Sequence, residues 1–126
     1  MLFRSVGEAL NTQKKAINGS RIHVFGVAYK KDISDMRESP ALDVIELLER
    51  RGAQVRYSDP YVPHLSLGHL ELDAVPEAEA AAGADIAVIC TNHSVFDYAS
   101  MPQRFPLVVD TRNALKGLAS DRIFRL

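Results

Sequence analysis

Apolar and polar positions alternate along this chain in blocks that read as strands and helices in turn. Arg21-Ile22-His23-Val24-Phe25, residues 54–58, Ile86-Ala87-Val88-Ile89-Cys90 and Leu107-Val108-Val109-Asp110 are short and β-rich, so each predicts a strand. The run ending at Cys90 is the clearest buried one, and Arg122-Ile123-Phe124 predicts a last, weaker strand. Helical spacing predicts a first helix over residues 4–17, with Val6, Leu10 and Ile17 turned inward and Asn18-Gly19-Ser20 as its stop. A second helix is set by Ser39 as N-cap and Pro40 at the first helical position, where a missing N–H costs nothing. Leu42, Ile45 and Leu48 follow on one face with Val44 alongside, and Gly52 closes the helix. The Ala/Glu-rich stretch 74–84 predicts a helix over residues 76–82 that ends at Gly83. Residues 61–72 read as loop with a short edge strand near Leu70, and residues 95–100 as a helical turn.

Strands without polar alternation belong to a sheet covered on both faces. Alternating with helices, they predict an α/β domain: a three-layer, Rossmann-like, doubly wound parallel sheet of about five to six strands. Ligands of such a sheet sit beyond the carboxyl ends of its strands, where the strand order switches. Three polar clusters follow strand ends, namely residues 28–37, 91–93 and 111–113, and are expected to open onto one edge.

Composition narrows the function. Fifteen Lys and Arg residues stand against 16 Asp and Glu, a net charge of −1 without the single-sign field that drives nucleic-acid binding. No apolar run approaches the length of a membrane span, and the N-terminal residues lack the apolar stretch of a secretory signal. A single cysteine, Cys90, excludes an internal disulfide framework and a multi-cysteine zinc cage and points to a reducing, cytoplasmic setting. It lies inside an apolar strand and reads as a core thiol with a raised pKa, a poor nucleophile.

The junction Phe25-Gly26-Val27-Ala28-Tyr29-Lys30 keeps only the first glycine of the Gly-x-Gly-x-x-Gly dinucleotide fingerprint. Standard NAD binding by this domain is therefore not expected. Asp59 ends the second strand, either as a ribose contact or as the acid of an Asp-Pro turn. The segment from Lys30 to Pro40 is dense in charge and lies between a strand end and a helix start. It is equally suited to gripping an anion and to pairing its own Lys and Arg with Asp32, Asp35 and Glu38. His23 reads as a core or sheet-edge residue. His64 and His69 lack partners at a metal-binding spacing, and His93 either lines the cleft or caps a backbone group.

The run Gly26-Val-Ala-Tyr-Lys-Lys-Asp-Ile-Ser-Asp-Met-Arg-Glu-Ser-Pro40 resembles the signature of the C-terminal, UDP-binding domain of the UDP-glucose/GDP-mannose dehydrogenase family. Tyr57-Ser-Asp-Pro-Tyr61, Thr91-Asn-His93 with Phe96, and Val109-Asp-Thr-Arg-Asn113 follow in the family's order, so the resemblance covers roughly residues 5–125. Its wording most resembles the UDP-N-acetylglucosamine and UDP-N-acetylmannosamine 6-dehydrogenases.

The resemblance implies a domain that closes over a UDP-sugar in an enzyme that also has an NAD-binding N-terminal domain and a central dimerising one. In that family NAD takes two hydrides in succession, through a cysteine-bound intermediate, and turns a sugar CH2OH into a carboxylate. It further implies that Tyr29, Lys30 and Arg112 contact the substrate, that Arg37 contacts NAD across the domain gap, and that no catalytic residue lies in this chain. Asp35 and Glu38 are expected to position the basic groups, and Lys31 to be a solvated charge. On this reading residues 1–18 are the tail of the inter-domain connecting helix and residues 19–126 the UDP-binding domain. The chain then looks like an excised domain or a truncated gene product, inactive alone, whose full-length enzyme is a homo-oligomer. The alternative is a stand-alone nucleotide-binding or interaction module. A phosphoacceptor receiver domain is disfavoured, because Gly26-Val27-Ala28 stands where its acidic pair belongs.

Overall fold

The computed structural model describes residues 2–28, 32 and 39–126. Five strands form one parallel sheet: β1 (Arg21–Phe25), β2 (Gln54–Ser58), β5 (Ile86–Ile89), β6 (Val108–Asp110) and β7 (Ile123–Arg125). Their spatial order is β2-β1-β5-β6-β7, so the switch in order falls between β1 and β5. Register aligns Ile22 with Ile86, Val24 with Val88, and Val88 in turn with Val109.

Side chains on these strands point alternately to the two faces, and both faces are apolar. Ile22, Val24, Ile86, Val88 and Val109 enter one core cluster with Val6, Ala9 and Leu10 of α1 (Leu2–Asn11) and Ala41, Ile45 and Leu48 of α2 (Pro40–Arg50). Phe25, Ala87, Ile89 and Val108 enter the other, beneath Phe96, Phe105 and Met101, the last in the short helix α3 (Met101–Arg104). The three-layer doubly wound expectation holds, with five strands in the main sheet.

Local departures from the predicted elements have tertiary causes. α1 stops at Asn11 rather than near residue 17: the Thr12 hydroxyl donates to the Ala9 carbonyl at 2.6 Å, and Lys14 turns left-handed at φ 59°. The reversal brings Lys15 to Asp85 at 2.7 Å and lays Ile17 against Gly7. Over residues 76–82 only a single tight turn forms, at Glu77–Glu79. The backbone bonds here run to the third residue back, Ala80 N–H to Glu77 O at 3.1 Å and Ala82 N–H to Glu79 O at 3.3 Å, and arginines share the same carbonyls: Arg104 Nη2 donates to Glu77 O at 2.6 Å, and Arg56 Nη2 to Glu79 O at 3.2 Å. Residues 61–72 are more regular than expected, since β3 (His64–Leu67) and β4 (Leu70–Asp73) make an antiparallel hairpin. Its Leu65, Leu67, Leu70 and Leu72 all pack on the α1/α2 side of the core. Ser39 does precede α2, but its side chain makes no cap and its hydroxyl lies 3.4 Å from the Ala28 carbonyl.

His23 sits within the sheet beside Phe25, 1% exposed. Ser58 Oγ donates to Val75 O at 2.6 Å, so the 2.7 Å contact of His23 Nε2 with that oxygen is an N–H donated by histidine. Nδ1 is then a bare acceptor without a partner among the described residues. Burial, with Arg56 and Arg104 nearby, lowers the His23 pKa from 6.5 to about 3. His64, by contrast, is exposed and bonded to Asp73 and Glu71 across the hairpin, which raises its pKa.

Two expectations follow. Between pH 6.5 and about 3 the unfolded chain binds a proton at residue 23 that the native chain refuses. His23 therefore makes stability fall as pH falls through that window, by up to about 1.4 kcal/mol per pH unit. His23→Gln, which keeps an N–H donor but does not titrate, is expected to flatten the curve there, as chemical denaturation at a series of pH values would show. An unchanged slope would contradict the assignment. Val88→Asp places an unpaired carboxylate in the central strand at 0% exposure, and loss of cooperative unfolding is expected by circular dichroism.

Candidate functional site at the carboxyl edge of the sheet

In a doubly wound sheet the crevice for ligands opens where the strand order reverses, here beyond the ends of β1 and β5. Gly26 leaves β1 at φ +85°, and a Cβ there would lie 2.3 Å from the Thr91 carbonyl oxygen. Glycine is required for this close crossing of two chain segments, which accounts for the single glycine retained from the dinucleotide pattern. Thr91 secures the crossing, its hydroxyl donating to the Ala28 carbonyl at 2.5 Å.

The next two amides, Val27 N–H and Ala28 N–H, follow the glycine in the stretch of chain that a dinucleotide-binding domain uses to hold a phosphate. Here a carboxylate from the end of β2 occupies them. Asp59 Oδ2 accepts Val27 N–H at 2.8 Å, Ala28 N–H at 3.3 Å and His93 Nε2–H at 2.8 Å. Its Oδ1 accepts Tyr61 N–H at 2.8 Å, which makes the Asp-Pro turn. Asp59 is only 4% exposed, so the ribose-contact reading is corrected: both oxygens are buried and engaged inside the domain. The described residues accordingly do not fit NAD, because the cradle for its pyrophosphate is filled by the protein's own anion.

Arg112 stands on the same edge, after β6. The turn that carries it is built by its neighbours. Asp110, 1% exposed, accepts Arg112 N–H and Ala114 N–H on Oδ1 at 3.0 and 3.1 Å, and Leu115 N–H on Oδ2 at 2.8 Å. Asn113 takes the left-handed conformation at φ 57°, which its short amide side chain tolerates. Arg112 Nε donates to Cys90 O at 2.8 Å. This single tether fixes the base of an exposed guanidinium whose Nη atoms have no ion-pair partner among the described residues. Cys90 itself is confirmed as a core thiol, and burial pushes its pKa up to about 12 despite the nearby arginine.

Tyr29, Lys30, Lys31, Asp35, Arg37 and Glu38 lie outside the described residues, so of the predicted contacts only Arg112 is placed here. Sequence reasoning offered Asp59 as the acid of an Asp-Pro turn, which the bond from Tyr61 N–H bears out, but missed its hold on the Val27 and Ala28 amides and on His93, and missed Asp110 as the acid that gathers its own turn. The signal was present in both: an acid at a strand end, followed by turn residues. A cleft of about 360 Å³ opens beside Asp59, between Pro60, Pro63, Val75 and Val95. Among the described residues its lining includes Glu77 and no Lys or Arg. Among the described residues no cluster of His, Cys, Asp and Glu fits a metal ion, and no helix is long and apolar enough to cross a membrane.

This edge, with its glycine crossing and its arginine after the fourth strand of the sheet, belongs to an α/β domain of modified Rossmann type. Residues 23–117 match the sequence model of the UDP-glucose/GDP-mannose dehydrogenase family, UDP binding domain, and the chain belongs to that family. It is 34% identical over 130 residues to a UDP-N-acetyl-D-mannosamine dehydrogenase of Pyrococcus horikoshii, a match covering 99% of this chain and 28% of that protein. It is 38% identical over 104 residues to a UDP-glucose 6-dehydrogenase of Rhizobium meliloti, covering 77% of this chain and 24% of the relative. A solved UDP-D-ManNAc dehydrogenase structure from Pyrococcus horikoshii superposes with a TM-score of 0.77 at 31% identity, over 97% of this chain and 28% of that one. The chain thus spans about a quarter of the length of the relatives it matches.

Gly26→Ala is expected to cost about 2 kcal/mol or more, because the added methyl meets backbone at a positive φ. Urea denaturation measures it, and a loss within a few tenths of a kcal/mol would mean that the crossing is not tight.

Proposed function

We propose that this domain supplies the UDP-contacting wall of the substrate cleft in an NAD-dependent UDP-sugar 6-dehydrogenase, which oxidises a UDP-N-acetylhexosamine or UDP-glucose to the uronic acid. The observation that carries the reading is Arg112: an exposed guanidinium on the ligand edge of the sheet, tethered at Nε, with no partner for its two Nη groups among the described residues. A planar fork presented in this way suits paired phosphate oxygens.

In this reading Tyr29 and Lys30 join Arg112 at the nucleotide sugar, and Arg37 reaches NAD. NAD itself is held mainly by an N-terminal domain, and the nucleophilic cysteine belongs to a central one. Two features of this chain support that division. Asp59 fills the amide cradle that a pyrophosphate would need, and the Cys90 thiol is protonated and buried. Within residues 1–18, the helix Leu2–Asn11 is then the tail of the connecting helix, seated on the domain through Val6, Ala9 and Leu10, and residues 12–18 are the turn that leads into β1. The 126-residue chain binds UDP without oxidising a UDP-sugar, and the complete enzyme is a homo-oligomer.

Arg112→Ala is expected to weaken UDP binding by about tenfold or more, the worth of a charge-assisted phosphate contact, and to leave the melting temperature within a degree or two. Calorimetric titration of UDP into the wild-type and variant chains measures the first, and a thermal scan the second. Equal affinities would remove Arg112 from the site. NAD-dependent oxidation of a UDP-sugar by the chain alone would refute the division of labour.

A further inference from the structure

We propose that His93 is a positioning residue: it pins Asp32 to the carboxyl edge of the sheet by accepting the Asp32 amide, and Asp59 holds it in the one tautomer able to do so. The functional side of this inference rests on the reading above, in which the segment around Asp32 carries ligand contacts. Asp32 lies two residues after Lys30 and five before Arg37.

The tautomer follows from the geometry. Asp32 N–H donates to His93 Nδ1 at 2.7 Å, so Nδ1 must present a lone pair. The ring proton is then on Nε2, where Asp59 Oδ2 accepts it at 2.8 Å. Neither His93 nor Asp59 exposes any side-chain surface, so no water substitutes for either bond. The clasp is closed from the other side. Asp32 Oδ1 accepts Ser94 N–H at 2.8 Å, and Oδ2 accepts the Ser94 hydroxyl at 2.7 Å. Asp32 holds a left-handed conformation at φ 62°, which Asp tolerates better than most residues. The imidazole packs between Tyr61 and Phe96, with ring centroids 4.9 and 5.9 Å away, and the Tyr98 hydroxyl donates to the His93 carbonyl at 2.6 Å. Every position of this ring is therefore fixed before a ligand arrives. The same Asp59 oxygen that fills the old phosphate cradle sets the direction of the ring.

Histidine is the side chain that offers an acceptor at one ring position and a donor at the other. Asn reproduces the acceptor near Nδ1 and Gln the donor near Nε2. The test compares His93→Gln and His93→Asn in the 126-residue chain. Its readouts are amide hydrogen exchange at Asp32 without ligand, UDP affinity by calorimetry, and melting temperature. His93→Gln is expected to accelerate Asp32 exchange at least tenfold and to weaken UDP binding at least fivefold, whereas His93→Asn stays closer to wild type in both. Unchanged Asp32 protection in His93→Gln overturns the clasp, and lost protection with unchanged UDP affinity overturns its positioning role. Nitrogen-15 spectra of the wild-type ring decide the tautomer even if a variant does not fold: a proton on Nδ1 overturns the proposal. Wild-type protein that binds no UDP would refute the proposed function, while a protected Asp32 amide and a proton on Nε2 would still uphold the clasp.

Discussion

A carboxylate removed from water must be solvated by the protein, and the way this chain solvates Asp59 organises the edge on which its function is argued. Three backbone amides and one imidazole N–H converge on its two oxygens. They come from the ends of three strands, so one buried charge ties β1, β2 and β5 together at the point where the sheet reverses its order. Removing it would leave those donors unsatisfied, which costs more than the net worth of the bonds.

The same arrangement separates this domain from a dinucleotide-binding one of similar topology. In the latter, glycines let the chain approach a pyrophosphate, and the exposed amides bind it. Here the one glycine serves a protein–protein crossing at Thr91, and the amides beyond it are taken by Asp59. A ligand must find its counter-charge further out, on side chains rather than on backbone. In the proposed function Arg112 supplies it, and the turn that carries Arg112 is built by a second buried acid, Asp110, which gathers the amides of that turn. Both acids act as turn formers whose rigidity is passed to a neighbouring functional group.

The strands at β1, β2, β5 and β6 and the helix α2 were legible because their signals are local: apolar runs for strands covered on both faces, and Ser39-Pro40 with Leu42, Ile45 and Leu48 for the helix. The elements that departed from expectation are those decided by distant groups. The alanines of residues 76–82 favour helix, yet only tight i to i+3 bonds form there, on carbonyls that arginines remote in sequence share. The hairpin at residues 64–73 had a readable period of two in Leu65, Leu67, Leu70 and Leu72, interrupted only by the Gly68-His69 turn. The signature run from Gly26 to Pro40 named the family because its residue types are specific in order, whereas most of that run lies outside the described residues.

The sequence alone determined the α/β class, the parallel sheet, the inert core thiol and the family, since each depends on residue type and spacing along one stretch of chain. Tertiary structure decided what Asp59, His93 and Asp110 do. Their roles arise from hydrogen bonds to amides that share no local pattern with them, some more than 30 residues away and brought within 3 Å only when the strand ends line up.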